Sequence, residues 1–167
     1  NGRVIGVQTD RADGAIYASV TIICEGVNNL LTQKLGLAKH DIKGDSAALA
    51  VKQLISIPSS TINSRFGLTD NDHGVAMSVM GDVSMGLPGL GFIYTGVDCV
   101  SVGVGVTLEA LREAHIKPYE LLQRYMNHPM IAPLLVGGRL MEYGAHIIPE
   151  GGWKDMPQLY TDGVLVA

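Results

Sequence analysis

Apolar side chains fall along the chain in short runs of two different periods. Val4, Ile5 and Val7 lead into Asp10-Arg11-Ala12-Asp13-Gly14, whose Asp-Gly step is a hairpin signal, and Ile16 to Cys24 alternates before becoming fully apolar. Asn28 is placed to cap a helix through Leu30, Leu31 and Leu35, with Gly36 as its stop. A second apolar strand runs from Ala47 to Ile57 and ends at Pro58, after which Ser59 or Ser60 caps a short helix containing Ile62 and Phe66. Val75 to Val79, Phe92 to Tyr94 and Cys99 to Val106 read as three further strands, the last two separated by the tight turn Thr95-Gly96-Val97-Asp98. Leu108 to Ala114, Tyr119 to Asn127 and Met130 to Leu135 read as helices, and Leu140 to Ile148 alternates as a strand. Strands outnumber helices, and most are joined by turns too short for a parallel crossover. The pattern therefore predicts an α+β fold, an antiparallel β-sheet with helices packed on one side.

Composition narrows the function more than the fold. The 167 residues hold 47% apolar and 17% charged side chains, the balance of a folded domain. A net charge of −4 with scattered Lys and Arg gives no electrostatic footprint for nucleic acid. Cys24 and Cys99 are too few for a disulfide framework and lack zinc spacing, so reduced thiols in a cytoplasmic protein are expected. No run approaches the roughly 20 apolar residues of a membrane-spanning helix. The turn-like Asn1-Gly2 start and the apolar Val164-Leu165-Val166-Ala167 end suggest an internal piece of a larger protein.

Most chemical motifs dissolve on inspection. Gly103-Val104-Gly105-Val106-Thr107-Leu108 imitates a dinucleotide fingerprint, but Leu108 occupies the third glycine position, and glycines inside a packed strand account for it better. Asp70-Asn71-Asp72-His73-Gly74 lacks the glutamate of a calcium loop and reads as a solvated turn. His40, His73, His115, His128 and His146 show no ligand spacing, so no metal site and no catalytic acid, base or nucleophile is assigned. The unusual stretch is Met77, Met80, Met85, Leu87, Pro88, Leu90, Phe92 and Ile93, interleaved with Gly81, Gly86, Gly89 and Gly91. Apolar side chains on a turn-rich backbone suit a lipid-like ligand, a membrane surface or the domain's own core, and glycines let a flat ligand approach the backbone.

Taken in order, Ile23-Cys24-Glu25-Gly26-Val27-Asn28, Gly91-Phe92-Ile93-Tyr94-Thr95, His128-Pro129-Met130-Ile131-Ala132-Pro133-Leu134, Glu142-Tyr143-Gly144-Ala145-His146 and Ile148-Pro149-Glu150-Gly151-Gly152 resemble the FixC type of electron transfer flavoprotein:quinone oxidoreductase. The resemblance implies a middle portion of such an enzyme, inactive alone. Residues 1–36 would be a remnant of the FAD-binding domain including its β-hairpin, 37–148 the quinone-side α+β domain, and 149–167 the return toward the FAD domain. It further implies FAD in the full-length protein, though not bound to this fragment, with Gly26, Asn28, Glu150, Gly151 and Gly152 near it, and a quinone head group near Gly89 and Leu90. Leu90 stands where the family usually has a second glycine. Implied partners are an electron transfer flavoprotein, a ferredoxin-like protein carrying an iron–sulfur cluster, and the quinone, at a cytoplasmic site peripheral to the membrane. Two alternatives stay open: a geranylgeranyl reductase or FAD monooxygenase of the same fold, and a non-catalytic membrane-contact or lipid-binding module.

Overall fold

The computed structural model describes residues 2–38 and 42–167; Asn1 and His40 lie outside the described residues. The chain divides into two compact units, residues 43–150 and the pair of segments up to 42 and from 151 onward.

The larger unit is a five-stranded antiparallel sheet in the order β5-β6-β7-β4-β8. Its strands are β4 (Ala47–Ser56), β5 (Ala76–Val79), β6 (Gly89–Thr95), β7 (Cys99–Thr107) and β8 (Arg139–Pro149). The helices are α2 (Ser59–Phe66), α3 (Leu108–Ala114), α4 (Pro118–Met126) and the short α5 (Ala132–Leu135). The ladder pairs Val51 with Val104, Ile55 with Val100 and Ile93 with Val102, so these residues share one face. That face is the core: with Ile62, Leu111, Leu121, Leu122, Tyr125 and Ile131 from the helical side, it forms one buried cluster. The opposite face carries Ala48, Ala50, Lys52 and Leu54 beside Ser101, Gly103 and Gly105, and then Leu90, Phe92 and Tyr94. The α+β arrangement with helices on one side is thus present.

Gly103 shows why its motif is not a nucleotide loop. It sits mid-strand under the Phe92 ring, and a Cβ there would come 2.2 Å from Phe92 Cζ. Phe92 in turn stacks on Tyr94, centroids 5.1 Å apart.

The smaller unit has only short strands: β1 (Gly6–Gln8) pairs with β2 (Ala15–Tyr17), and β3 (Thr21–Ile23), β10 (Val164–Val166) and β9 (Tyr160–Thr161) form a second sheet in that order. Here the expectation of one alternating strand from Ile16 to Cys24 fails. The hairpin closes with the Ala18 N–H donating to the Ile5 carbonyl, after which β3 pairs in parallel with β10, more than 140 residues later. Alternation cannot reveal such a pairing, because its partner is remote in sequence.

The helix boundaries carry three further corrections. Ser59 and Ser60 cap nothing; both lie inside α2, and the Pro58 carbonyl receives the N–H groups of Thr61 and Ile62. The helix expected from Met130 starts at Ala132, after a turn in which the His128 carbonyl accepts from Ile131 and Ala132. Asn28 does not cap α1 (Leu30–Lys34); it closes a 3-10 turn, Gly26–Asn28, and Asn29 at the N-cap is left-handed with no side-chain cap. Gly36, at φ 70°, does end α1, donating to the Gln33 carbonyl.

Candidate functional site

Most of the apolar stretch that stood out in the sequence is an ordinary hairpin, since Ala76 to Val79 and Gly89 to Thr95 are paired strands. The connection between them is the unusual part. Gly81 adopts φ 105° and ψ −128°, a conformation open to glycine alone, then comes a 3-10 turn, Asp82–Ser84, followed by Met85 and Gly86, both left-handed.

Ser84 is the hinge pin of this loop. It is 2% exposed, and its hydroxyl lies 2.7 Å from the Leu87 carbonyl and 3.2 Å from that of Gly81, so the two ends are drawn together around it. The Ser84 and Leu87 N–H groups donate to Gly81 and Ser84 carbonyls, and the Pro88 carbonyl accepts from Thr107 on β7. Arg124 of α4 pairs with Asp82, while the neighbouring Tyr125 ring lies against Gly91 and leaves no room for a Cβ there. The result is a shallow open groove of about 450 Å³ lined by Gly81, Asp82, Ser84, Gly86, Leu87, Pro88 and Gly89. At Gly81 and Gly86 a Cβ would meet nothing within 4 Å, so both offer bare backbone to the groove. The Gly86 N–H has no acceptor among the described residues.

Gly89 and Leu90 occupy different surroundings. Gly89 lines the groove, but its lack of a side chain is explained by β7: a Cβ would lie 2.3 Å from the Gly105 carbonyl oxygen and 2.7 Å from Val106 Cγ2. Leu90, half-buried, is paired with Gly105 on the face away from the helices. Met80 is 77% and Met85 44% exposed, whereas Leu87 packs against the core.

In the smaller unit, Gly26 and Asn28 share one turn, and the residue that organises it is Glu25. Its carboxylate accepts from the N–H of Leu31 at 3.0 Å, the N–H of Thr32 at 2.7 Å and the Thr32 hydroxyl at 2.9 Å, supplying the cap that Asn28 does not. Desolvation presses the Glu25 pKa upward, but the bonds from Leu31 and Thr32 together outweigh it, leaving the carboxyl below its usual value. The signal was present in sequence as a glutamate before a glycine turn, but its span of seven residues fits no standard capping box.

Gly151 and Gly152 open a 3-10 turn, Gly152–Lys154, and they differ. A Cβ on Gly151 would fall 1.8 Å from Asp155 Oδ2, so that glycine serves its own loop, while Gly152, at φ 60°, faces open space. Gly26, at φ 55°, is likewise open. Backbone is exposed at Gly26 and Gly152, whereas the Asp155 side chain fills the Cβ side of Gly151. Glu150 ends the larger unit, its N–H donating to the Ser46 carbonyl.

The remaining candidates are accounted for locally. Asp70 accepts from its own loop, at 2.7 Å from His73 Nδ1 and 3.0 Å from the Asp72 N–H. Among the described residues no group of three or more His, Cys, Asp or Glu could hold a metal ion, and no helix is long and apolar enough to cross a membrane. Burial and the neighbouring Asp98 push the Cys99 thiol pKa up, away from a reactive thiolate.

The same fold occurs in solved structures. The chain superposes along its whole length on a geranylgeranyl bacteriochlorophyll reductase-like protein from Thermoplasma acidophilum, with a TM-score of 0.68 at 17% identity and 38% of that chain covered. It also matches a myxobacterial chondrochloren halogenase, described as FAD-dependent, with a TM-score of 0.63 at 15% identity over 99% of this chain and 37% of the other. These show a shared fold. Within that fold, residues 48–148 match the family model "ETF-QO, ubiquinone-binding", and the chain belongs to this family. Protein FixC of Azorhizobium caulinodans is 45% identical over 165 residues, 99% of this chain, and protein FixC of Escherichia coli K12 is 41% identical over 167 residues. The chain spans 38% of the length of either relative.

Proposed function

We propose that residues 43–150 are the quinone-side part of a longer FAD-dependent oxidoreductase that passes electrons from an electron transfer flavoprotein to a quinone. The observation that carries this reading is the coincidence of the family match, 48–148, with a compact unit that has a glycine-lined groove offering an unengaged N–H at Gly86 beside apolar Leu87 and Pro88. A quinone head group is flat, apolar on its faces and a hydrogen-bond acceptor at its carbonyl oxygens. Bare backbone at Gly81 and Gly86 admits the ring, and the Ser84 staple holds that backbone in place without rearrangement on binding.

Bound FAD would supply the electron transfer itself. In the longer protein Gly26 and Gly152 would present backbone to it, with Asn28 and Glu150 nearby; Gly151 shapes the turn. In such electron transfer the chain's own residues would bind, orient and exclude water. A ferredoxin-like iron–sulfur partner and a cytoplasmic location peripheral to the membrane, with Met80 and Met85 outermost, complete the proposal. The 167 residues alone would be inactive.

The test uses a longer FixC-type protein containing this segment. Gly86→Ala places a methyl group in the groove and strains a left-handed position by about 1 kcal/mol. It should raise the KM for a soluble ubiquinone analogue several-fold, with electron entry from the electron transfer flavoprotein unchanged. An unchanged quinone KM, or turnover of a prenylated substrate in place of quinone, refutes the assignment. The purified 167-residue chain should be colourless, and stoichiometric flavin absorbance eluting with it would overturn the proposed division of labour.

A further inference from the structure

β8 is the longest strand of the sheet and lies at its edge, so one row of its backbone groups faces outward. Ten of its eleven residues are exposed, among them Met141 at 54%, Tyr143 at 51% and Ile147 at 41%. The other edge, β5, is four residues long. Long apolar edges are ordinarily blunted by a lysine, a proline or a bulge, because they template pairing with another chain. On β8 the bulge falls at one end, opposite Leu54 and Ile55, and Pro149 at the other. From Glu142 to Ile148 the ladder with β4 is regular.

The sequence of that regular part is nearly its own complement. We propose that β8 pairs with β8 of a second copy of this chain, antiparallel about a two-fold axis at Gly144, joining two five-stranded sheets into one. In that register Glu142 of each copy lies opposite His146 of the other and Tyr143 opposite Ala145, with the bulge at Met141 just beyond the paired segment. Directly opposed residues of an antiparallel pair share a face, so acid meets imidazole twice and no like charges are opposed. Neither Glu142 nor His146 has a hydrogen-bond or ion-pair partner among the described residues, so both are available. Lys52, opposite Gly144 on β4, is the neighbouring cation on the same face.

Gly144 suits the axis. A Cβ there would lie 3.7 Å from Glu142 Oε1 and 3.9 Å from His146 Nε2, so these side chains flank the glycine. Where the strand meets its own copy, glycine faces glycine and leaves room for the two acid–imidazole pairs. A second copy fits this edge better than an unrelated strand because the charge order is self-complementary about one point.

Sedimentation velocity, on both the 167-residue chain and a longer FixC-type protein containing it, reads the association. The expected result is a concentration-dependent dimer in both, with slower amide exchange at 142–146 as concentration rises. Glu142→Lys removes both acid–imidazole pairs and sets a lysine opposite each His146, and should weaken association about tenfold or more. Combining Glu142→His with His146→Glu restores the pairs and should restore the dimer, with unchanged circular dichroism showing that all variants fold. A monomer at every concentration, or a dimer indifferent to Glu142→Lys, overturns the proposal. So does a dimer of the 167-residue chain beside a monomeric longer protein, because that protein's other residues would then cover the edge.

Discussion

The two units were built to the same rules with very different means. The larger has strands of four to eleven residues and one cluster of fifteen buried apolar side chains, from Val51 to Ile131. Among the described residues the smaller has strands of two or three residues and a buried cluster of three, Ile23, Leu37 and Val164. It also leaves Ile5, Ile16, Tyr17, Ile22, Leu30 and Leu31 between 48% and 76% exposed. Full burial of such side chains contributes about 1.5–3 kcal/mol each, against a backbone entropy cost of about 1–2 kcal/mol per residue. The larger unit has the means to stand on its own packing, and the smaller is held largely by backbone hydrogen bonds such as Val4 N–H to Asp162, Gln158 N–H to Leu37 and Ala167 N–H to Ile23. Local stability follows buried contact, so one chain should show two levels of protection.

The largest effect expected from this contrast is in amide exchange. In the 167-residue chain, β4, β6 and β7 should exchange orders of magnitude more slowly than β3 and β10, and limited proteolysis should leave a fragment close to 43–150. Ile93→Ala, at a fully buried position, should cost about 2–5 kcal/mol of global stability, while Ile23→Ala should unfold only the smaller unit. Equal protection of both units, or global loss from Ile23→Ala, breaks the comparison.

The same contrast explains what could be read in the sequence. In the larger unit the strands and helices are contiguous runs long enough to show their period, so Val75 to Val79, Cys99 to Val106 and Leu108 to Ala114 were legible even though β4 finds its partners in the distant β7 and β8. The smaller unit is closed by β3 and β10, whose pairing no local pattern encodes, and by Glu25, whose bonds reach six and seven residues ahead. The groove was half legible. Its glycines announced themselves, yet the side chains that fix it, Ser84, Asp82 with Arg124, and Tyr125, are ordinary residue types that only the fold brings together. Gly103 carried a false nucleotide signal for the same reason, since the demand for glycine there comes from Phe92; at Gly89 it comes from Gly105 and Val106.

A smaller, local effect lies in the turn of Glu25. Its carboxyl titrates lower when folded than unfolded, so it contributes stability above its unfolded pKa, about 4.3, which is lost as pH falls through the folded value. Exchange protection at Leu31 and Thr32 should therefore decline below about pH 4.5, ahead of any change in β7. Glu25→Gln keeps one acceptor oxygen but no charge, and should lower that protection at neutral pH while removing its acid dependence. If Glu25→Gln leaves both amides as protected as before, the cap is not what holds α1, and the smaller unit is more robust than its core suggests.

The smallest effect is the sharpest probe of the larger unit's interior. The Tyr125 hydroxyl is buried without a hydrogen-bond partner among the described residues, and burial pushes its pKa up to about 12. A buried hydroxyl with no partner contributes nothing to offset its desolvation, so replacing it costs little or gains up to about 1 kcal/mol. Tyr125→Phe keeps the ring against Gly91 and Val83 and should leave stability unchanged or slightly raised in denaturant unfolding. Tyrosinate absorbance should show a step near pH 12, and Tyr125→Phe should remove it. A loss of more than about 1 kcal/mol would mean that the hydroxyl is bonded to buried water. The core beneath the groove would then be wet, and its contrast with the smaller unit would rest on polar contacts as well as on packing.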